Sequence, residues 1–232
     1  MEFGKVFHHQ DPVSYSVPKF LPKSSYAYPI YGKQESLALQ RSLPALEKGE
    51  DWWGYQEGSN TRWKRGCSWE DPDVPDSVLF DGQMTSGVIR ALRKYRDERF
   101  FFASGFFRPH LPFIAPKKYY DLYPEEELKL PENRDLPLHA PEYADNNMAE
   151  SRSYYDVPQD GRVTQRKQEE FMRGYYASVT YLDAQIGKVL EELDRLQLRE
   201  KTIIVLWSDH GYHFGEHHAW GKNTNFEEAT RT

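Results

Sequence analysis

Cysteine is almost absent. Among 232 residues only Cys67 carries a thiol, which excludes an internal disulfide and any cysteine-built metal site, although it leaves an oxidising compartment open. Positive charge is not in excess either. Lys and Arg number 30 against 36 Asp and Glu, a formal net charge of -6, so there is no general basic field for a nucleic acid or an anionic membrane. Any anion must therefore be captured locally. No apolar run is long enough to span a membrane, and Met1-Glu2-Phe3-Gly4-Lys5 lacks the apolar core of a secretory signal, so the compartment is not legible here.

Regular periodicity is also scarce over the first third of the chain. From Phe7 to about Asp81 the residues are rich in Pro, Gly, Ser and aromatics, which reads as long ordered loops on a scaffold. Within them Trp52-Trp53-Gly54-Tyr55 and Trp63-Lys64-Arg65 suit either stacking on sugar rings or packing on the scaffold, and they are left outside the site. Ser86 to Glu98 then places Val88, Ile89, Leu92 and Tyr95 on one helical face, and Phe100 to Phe107 follows as a buried strand.

Residues 114 to 162 return to loop-like, Pro- and Asp-rich sequence. A long helix is expected beyond them, where Phe171, Tyr175, Val179, Leu182, Ile186, Val189, Leu193 and Leu196 recur every three or four positions, with Gly174 and Gly187 as candidate breaks. Thr202 to Trp207 is the clearest strand pattern. The order helix, buried strand, long helix, buried strand predicts an α/β fold with a mostly parallel sheet, whose ligands gather beyond the C-terminal strand ends. Those ends carry Arg108-Pro109-His110 and Asp209-His210-Gly211.

An Asp followed by an imidazole at a strand end is a plausible metal corner, since the carboxylate offers a hard oxygen and Gly211 permits a sharp turn. An Asp that caps the next helix would look the same. The density of His213, Glu216, His217, His218, Trp220 and Lys222 in the following loop raises the functional reading. One of the three histidines is expected to orient a neighbour, the others to be solvated.

Ser208-Asp209-His210-Gly211, Gly215-Glu216-His217 and Trp220-Gly221-Lys222 together resemble the C-terminal metal and sulfate loop of type I sulfatases, nearest to their iduronate-2-sulfatase group. Gly4-Lys5-Val6-Phe7-His8, Arg108-Pro109-His110-Leu111-Pro112-Phe113 and the helix from Tyr175 to Asp183 agree in order and spacing. The resemblance implies an alkaline-phosphatase-like α/β fold, a calcium ion, and a formylglycine made from Cys or Ser in a Cys/Ser-x-Pro-x-Arg segment, whose hydrated aldehyde attacks sulfur. Carried over by position, Asp209 and His210 are metal ligands and Lys5 and Lys222 bind the sulfate oxygens. His110 stands near the leaving oxygen, and His8 assists collapse of the covalent sulfate. The substrate implied is a sulfated sugar or glycosaminoglycan, and the compartment secreted, periplasmic or lysosomal.

This sequence departs from the family where the nucleophile should be. Cys67 is followed by Ser68-Trp69-Glu70-Asp71, without the proline or arginine, and no serine carries the pattern either. The N-terminal acidic pair of calcium ligands is missing too. Residues 1–232 are therefore expected to form part of one catalytic domain, truncated at both ends and inactive alone. Two other readings stay open. One is a two-metal phosphohydrolase of the same superfamily, and the other a non-catalytic binder of sulfated glycans.

Overall fold

The computed structural model describes residues 1–6, 20, 67–145, 150–154, 156–158 and 161–231. Trp52, Trp53, Tyr55, Trp63 and His8 lie outside that set. The strands are β1 (Glu2–Gly4) and β2 (Trp69–Glu70); then, after helix α1 (Phe80–Lys94), β3 (Ala103–Gly105) and β4 (Phe113–Ile114). They pair in parallel: β1 with β3, matching Phe3 to Ser104, and β2 with β4, matching Trp69 to Phe113. Phe20 adds a parallel bridge to β1 at Phe3. Short α2 (Lys117–Tyr120), long α3 (Gln165–Arg195) and short α4 (Glu227–Thr230) complete the elements.

Helix α1 begins earlier than its periodicity suggests. Phe80, Met84, Val88, Ala91 and Leu92 form the buried face and pack with Phe3, Phe107 and Leu193. No side chain of its own caps the start. The Tyr181 hydroxyl instead accepts the Gly82 N–H at 2.8 Å and donates to the Asp76 carbonyl at 3.1 Å, so a distant helix satisfies an otherwise orphaned donor.

Helix α3 spans 31 residues, about 46 Å at 1.5 Å per residue. Thr164 caps it by accepting the Lys167 N–H. At the other end Gln197 takes a left-handed φ of 57°, and the Leu198 N–H reaches the Leu193 carbonyl at 2.9 Å, a Schellman-type closure. The helix runs unbroken through both glycines, one face serving three core clusters. Leu193 joins α1, Ala177 and Tyr181 join Leu79, Ile114 and Tyr120, and Phe171 joins Leu111, Phe113 and Trp220.

The two expected strands differ from the expectation. Only Ala103–Gly105 of the Phe100–Phe107 run pairs, and Phe101 is exposed. Thr202–Trp207 is not assigned as a strand among the described residues; Ile203 is 93% and Trp207 74% exposed. An apolar run that alternates poorly is the pattern of a strand buried on both faces, and here neither face is covered. No helix among the described residues is long and apolar enough to cross a membrane.

Candidate active site

The end of β3 places the first functional side chain. Asp81, buried in the first turn of α1, accepts the Phe107 N–H at 2.8 Å and the Arg108 N–H at 2.9 Å. Burial pushes its carboxyl upward, opposed by the nearby Arg108 guanidinium and those two N–H groups. Arg108 is also buried, donating from Nε to the Ile114 carbonyl at 2.7 Å and from Nη1 to the His110 carbonyl at 3.2 Å. The loop that carries His110 is thus fixed by a charged pair beneath it. Its Arg108–Pro109 and Leu111–Pro112 bonds are both cis.

Lys5 arrives from β1. A Cβ on Gly105 would lie 1.9 Å from the Lys5 carbonyl oxygen, so only glycine lets the chain after β1 pass this close to β3. The Lys5 N–H donates to the Gly105 carbonyl at 2.8 Å. Its ammonium stands 5.9 Å from the centroid of the Phe107 ring, which also neighbours the His110 ring at 5.0 Å. Burial lowers the Lys5 pKa, and Lys222 lowers it further, while Asp209 and Glu150 oppose. Lys5 therefore lies within electrostatic range of the other three groups.

Glu150 joins the remaining pieces. Its Oε1 lies 3.1 Å from His110 Nε2 and its Oε2 3.2 Å from Lys222 Nζ, with all three side chains largely enclosed. The other imidazole nitrogen, Nδ1, is 2.6 Å from the Leu111 carbonyl. Burial raises the Glu150 carboxyl, but His110 and Lys222 outweigh it and pull the group down to about 2. For His110 burial is the largest influence and lowers its pKa, with Glu150 pulling the other way.

Asp209 and His210 follow the unpaired 202–207 segment. His210 Nδ1 is 2.8 Å from the Gly211 carbonyl, which can only accept, so Nδ1 carries a proton, and Nε2 lies 3.6 Å from Asp209 Oδ2. That pair suits one corner of a cation shell. Calcium takes about six to eight oxygen ligands, and no group of three or more His, Cys, Asp or Glu side chains able to hold a metal gathers among the described residues. Asp209 and His210 would therefore make only part of a calcium shell. Gly211 serves a purpose other than the expected turn. A Cβ there would fall 2.0 Å from the Glu228 carbonyl oxygen, so the glycine permits α4 to approach.

The structure thus brings Lys5, His110 and Lys222 together and sets Asp209 in electrostatic range, with His210 beside Asp209; His8 lies outside the described residues. The three histidines of the 213–218 loop face elsewhere. His213 is buried with Nε2 2.7 Å from Thr224 Oγ1, His217 stacks on Phe226, and His218 approaches Asp135. Sequence reasoning missed Glu150, Asp81 and Arg108. Asp81 could have been suspected as a carboxylate in an otherwise apolar helix start, whereas Glu150, in a segment without periodicity, carried no signal.

A model of the Sulfatase family matches residues 16–232. The iduronate 2-sulfatase of Mus musculus is 35% identical over 247 residues, covering 100% of this chain and 41% of that protein. That of Homo sapiens is 34% identical, covering 99% and 41%. The chain therefore spans about two-fifths of the length of these curated relatives. A phosphonate monoester hydrolase from Silicibacter pomeroyi superposes with a TM-score of 0.58 at 22% identity, over 76% of this chain and 38% of that one. At that identity the likeness concerns the fold, which is of the alkaline-phosphatase-like α/β type.

Proposed function

The chain belongs to the sulfatase family, and from that membership we propose that it forms part of an enzyme hydrolysing sulfate esters, with a sugar or glycosaminoglycan as the alcohol. The observation that supports the reading is that His110 and Lys222 flank Glu150, with Lys5 and, through it, Asp209 within electrostatic range. Two ammonium groups and a protonatable imidazole are what a sulfate ester needs. Negative charge spreads over the sulfuryl oxygens in the transition state, and Lys5 and Lys222 would meet it in a poorly solvated place, where each interaction is stronger than in water. The departing sugar oxygen is a poor leaving group, and His110 would give it a proton.

Asp209 and His210 would hold part of the shell of a calcium ion, which when bound supplies further positive charge against the sulfuryl group. His8 keeps the assisting role that the resemblance gives it. Residues 1–232 would be part of a single catalytic domain acting in a secreted, periplasmic or lysosomal setting. The relatives' name, iduronate 2-sulfatase, supports a sugar sulfate as substrate. Because Cys67 lacks the proline and arginine of a formylglycine segment, the 232-residue chain alone is expected to be inactive.

The deciding experiment expresses the gene's full reading frame with a formylglycine-generating partner and assays sulfate and phosphate monoesters. Sulfate esters should turn over, with one calcium per chain. Asp209→Ala should abolish both calcium binding and turnover while the circular dichroism spectrum stays native. Two zinc ions per chain, with phosphate esters processed faster than sulfate esters, would overturn the reading in favour of a two-metal phosphohydrolase.

A further inference from the structure

Glu150 lies in a tight 3-10 turn whose position is over-determined. The Ser153 hydroxyl donates to the Glu150 carbonyl at 2.6 Å, and the fully buried Ser151 donates from its hydroxyl to the Trp220 carbonyl at 3.0 Å. That second bond staples the turn to the loop that carries Lys222, two residues beyond Trp220. The loop is held in its turn by the His213 N–H, which donates to the Gly221 carbonyl at 2.8 Å. Glu150 is thereby delivered to a fixed place between His110 and Lys222.

The His110 ring then faces two acceptors. The Leu111 carbonyl can only accept, so Nδ1 carries a proton, and an ionised carboxylate can only accept as well. A neutral imidazole with its proton on Nδ1 would leave a lone pair on Nε2 beside Glu150 Oε1, 3.1 Å away in a charge contact whose angle falls outside hydrogen-bond geometry. Both contacts are attractive only when Nε2 is protonated too, or when the carboxylate holds that proton. Among the described residues the charged groups nearest the ring are Glu150 and Lys222, and Lys5 lies within electrostatic range of Lys222, Glu150 and Asp209.

We propose that Glu150 is a positioning residue that counters the effect of burial on His110, favouring a proton on Nε2, and orients Lys222 before an ester arrives. When the ester binds, its bridging oxygen competes with Glu150 Oε1 for the Nε2 proton. As sulfur gains its bond to the attacking oxygen nucleophile of the full-length enzyme, its bond to the bridging oxygen breaks; that oxygen leaves with the proton and the S–O electron pair, and His110 is left neutral. This catalytic consequence rests on the sulfate-ester reading, whereas the proton shared by His110 and Glu150 does not.

The test therefore has an arm that needs no activity. Histidine side chains of the 232-residue chain, labelled with ¹⁵N, are titrated by NMR. As pH rises, wild-type His110 should lose its proton from Nε2 and keep that on Nδ1; loss from Nδ1 overturns the proposal without any variant. In Glu150→Gln the imidazolium loses its counter-charge, so the midpoint should fall by about one pH unit or more, the size expected for an opposite charge within 4–6 Å. Glu150→Asp, which keeps the charge but withdraws it by a methylene, should fall between the two. An unmoved midpoint in either folded variant refutes the pairing. In the full-length enzyme, Glu150→Gln should shift the alkaline limb of kcat/KM for a sugar sulfate to lower pH by the same amount. If the midpoint moves and wild type hydrolyses no sulfate ester, the pairing stands and the functional reading falls. If wild type is active and the limb stays put, the catalytic part of the proposal falls alone.

Discussion

His110 is enclosed by the Phe107 ring, the Leu111 carbonyl and Glu150, so its imidazole can serve a substrate only at its Nε2 edge. A proton supplied there matters most when the departing oxygen is strongly basic. His110→Ala in the full-length enzyme is thus expected to slow a sugar sulfate by on the order of a hundredfold or more, and an activated aryl sulfate far less. Comparing kcat/KM for the two esters checks this, and equal damage to both would assign His110 to binding or support. At this scale the sequence was partly legible. His110 and Asp209 stand out because an imidazole and a carboxylate follow expected strands, whereas Lys5 and Lys222 take their roles from the resemblance; the structure brings His110, Lys5 and Lys222 together. Glu150 was not legible because its role depends on a long-range staple, Ser151 to Trp220, that no local pattern encodes.

At the scale of elements, α3 contains a paired test of what its glycines do. Both looked like potential breaks, yet the helix passes through each. At Gly174 a Cβ would fall 2.8 Å from the Phe113 Cβ and 3.0 Å from the Tyr120 hydroxyl, inside the cluster that seats β4. At Gly187 nothing lies within 4 Å. Gly174→Ala should therefore destabilise by about 1–3 kcal/mol through overpacking, while Gly187→Ala should stabilise by about 0.5–1 kcal/mol through helix propensity. Urea denaturation of both variants beside wild type would measure the two signs, and a shared sign would contradict the packing at Phe113. The helix itself was readable because its apolar spacing persists for most of its length. Its end was not, since the left-handed closing residue is Gln197, where glycine would have announced the stop. Strand pairing was the least legible feature. Periodicity locates an extended run but says nothing of its partner, so Ala103–Gly105 pairs with β1 while the stronger pattern at Thr202–Trp207 pairs with nothing among the described residues.

For the molecule as a whole, that unpaired segment governs behaviour in solution. Ile203, Val205, Leu206 and Trp207 are all more than two-thirds exposed, an apolar ribbon that joins no strand among the described residues. Such a ribbon offers unpaired backbone N–H and C=O groups along with apolar side chains on both faces, which is the combination that templates edge-to-edge pairing between chains. It also lies directly before Ser208-Asp209-His210, so anything that pairs with it bears on the metal corner. The 232-residue chain is expected to self-associate as its concentration rises, through this segment. Sedimentation velocity across a dilution series should reveal the larger species, and Trp207, 74% exposed, should show a blue shift in its fluorescence as it becomes covered. The double substitution Val205→Lys, Leu206→Glu puts opposite charges on adjacent, oppositely directed positions of the ribbon, so no register can bury either face without burying a charge. That variant should remain monomeric with its helical signal unchanged, since neither residue packs in the three core clusters. Undiminished association by the double variant would place the contact elsewhere, and a monomeric wild type at every concentration would show that the exposed ribbon is not adhesive.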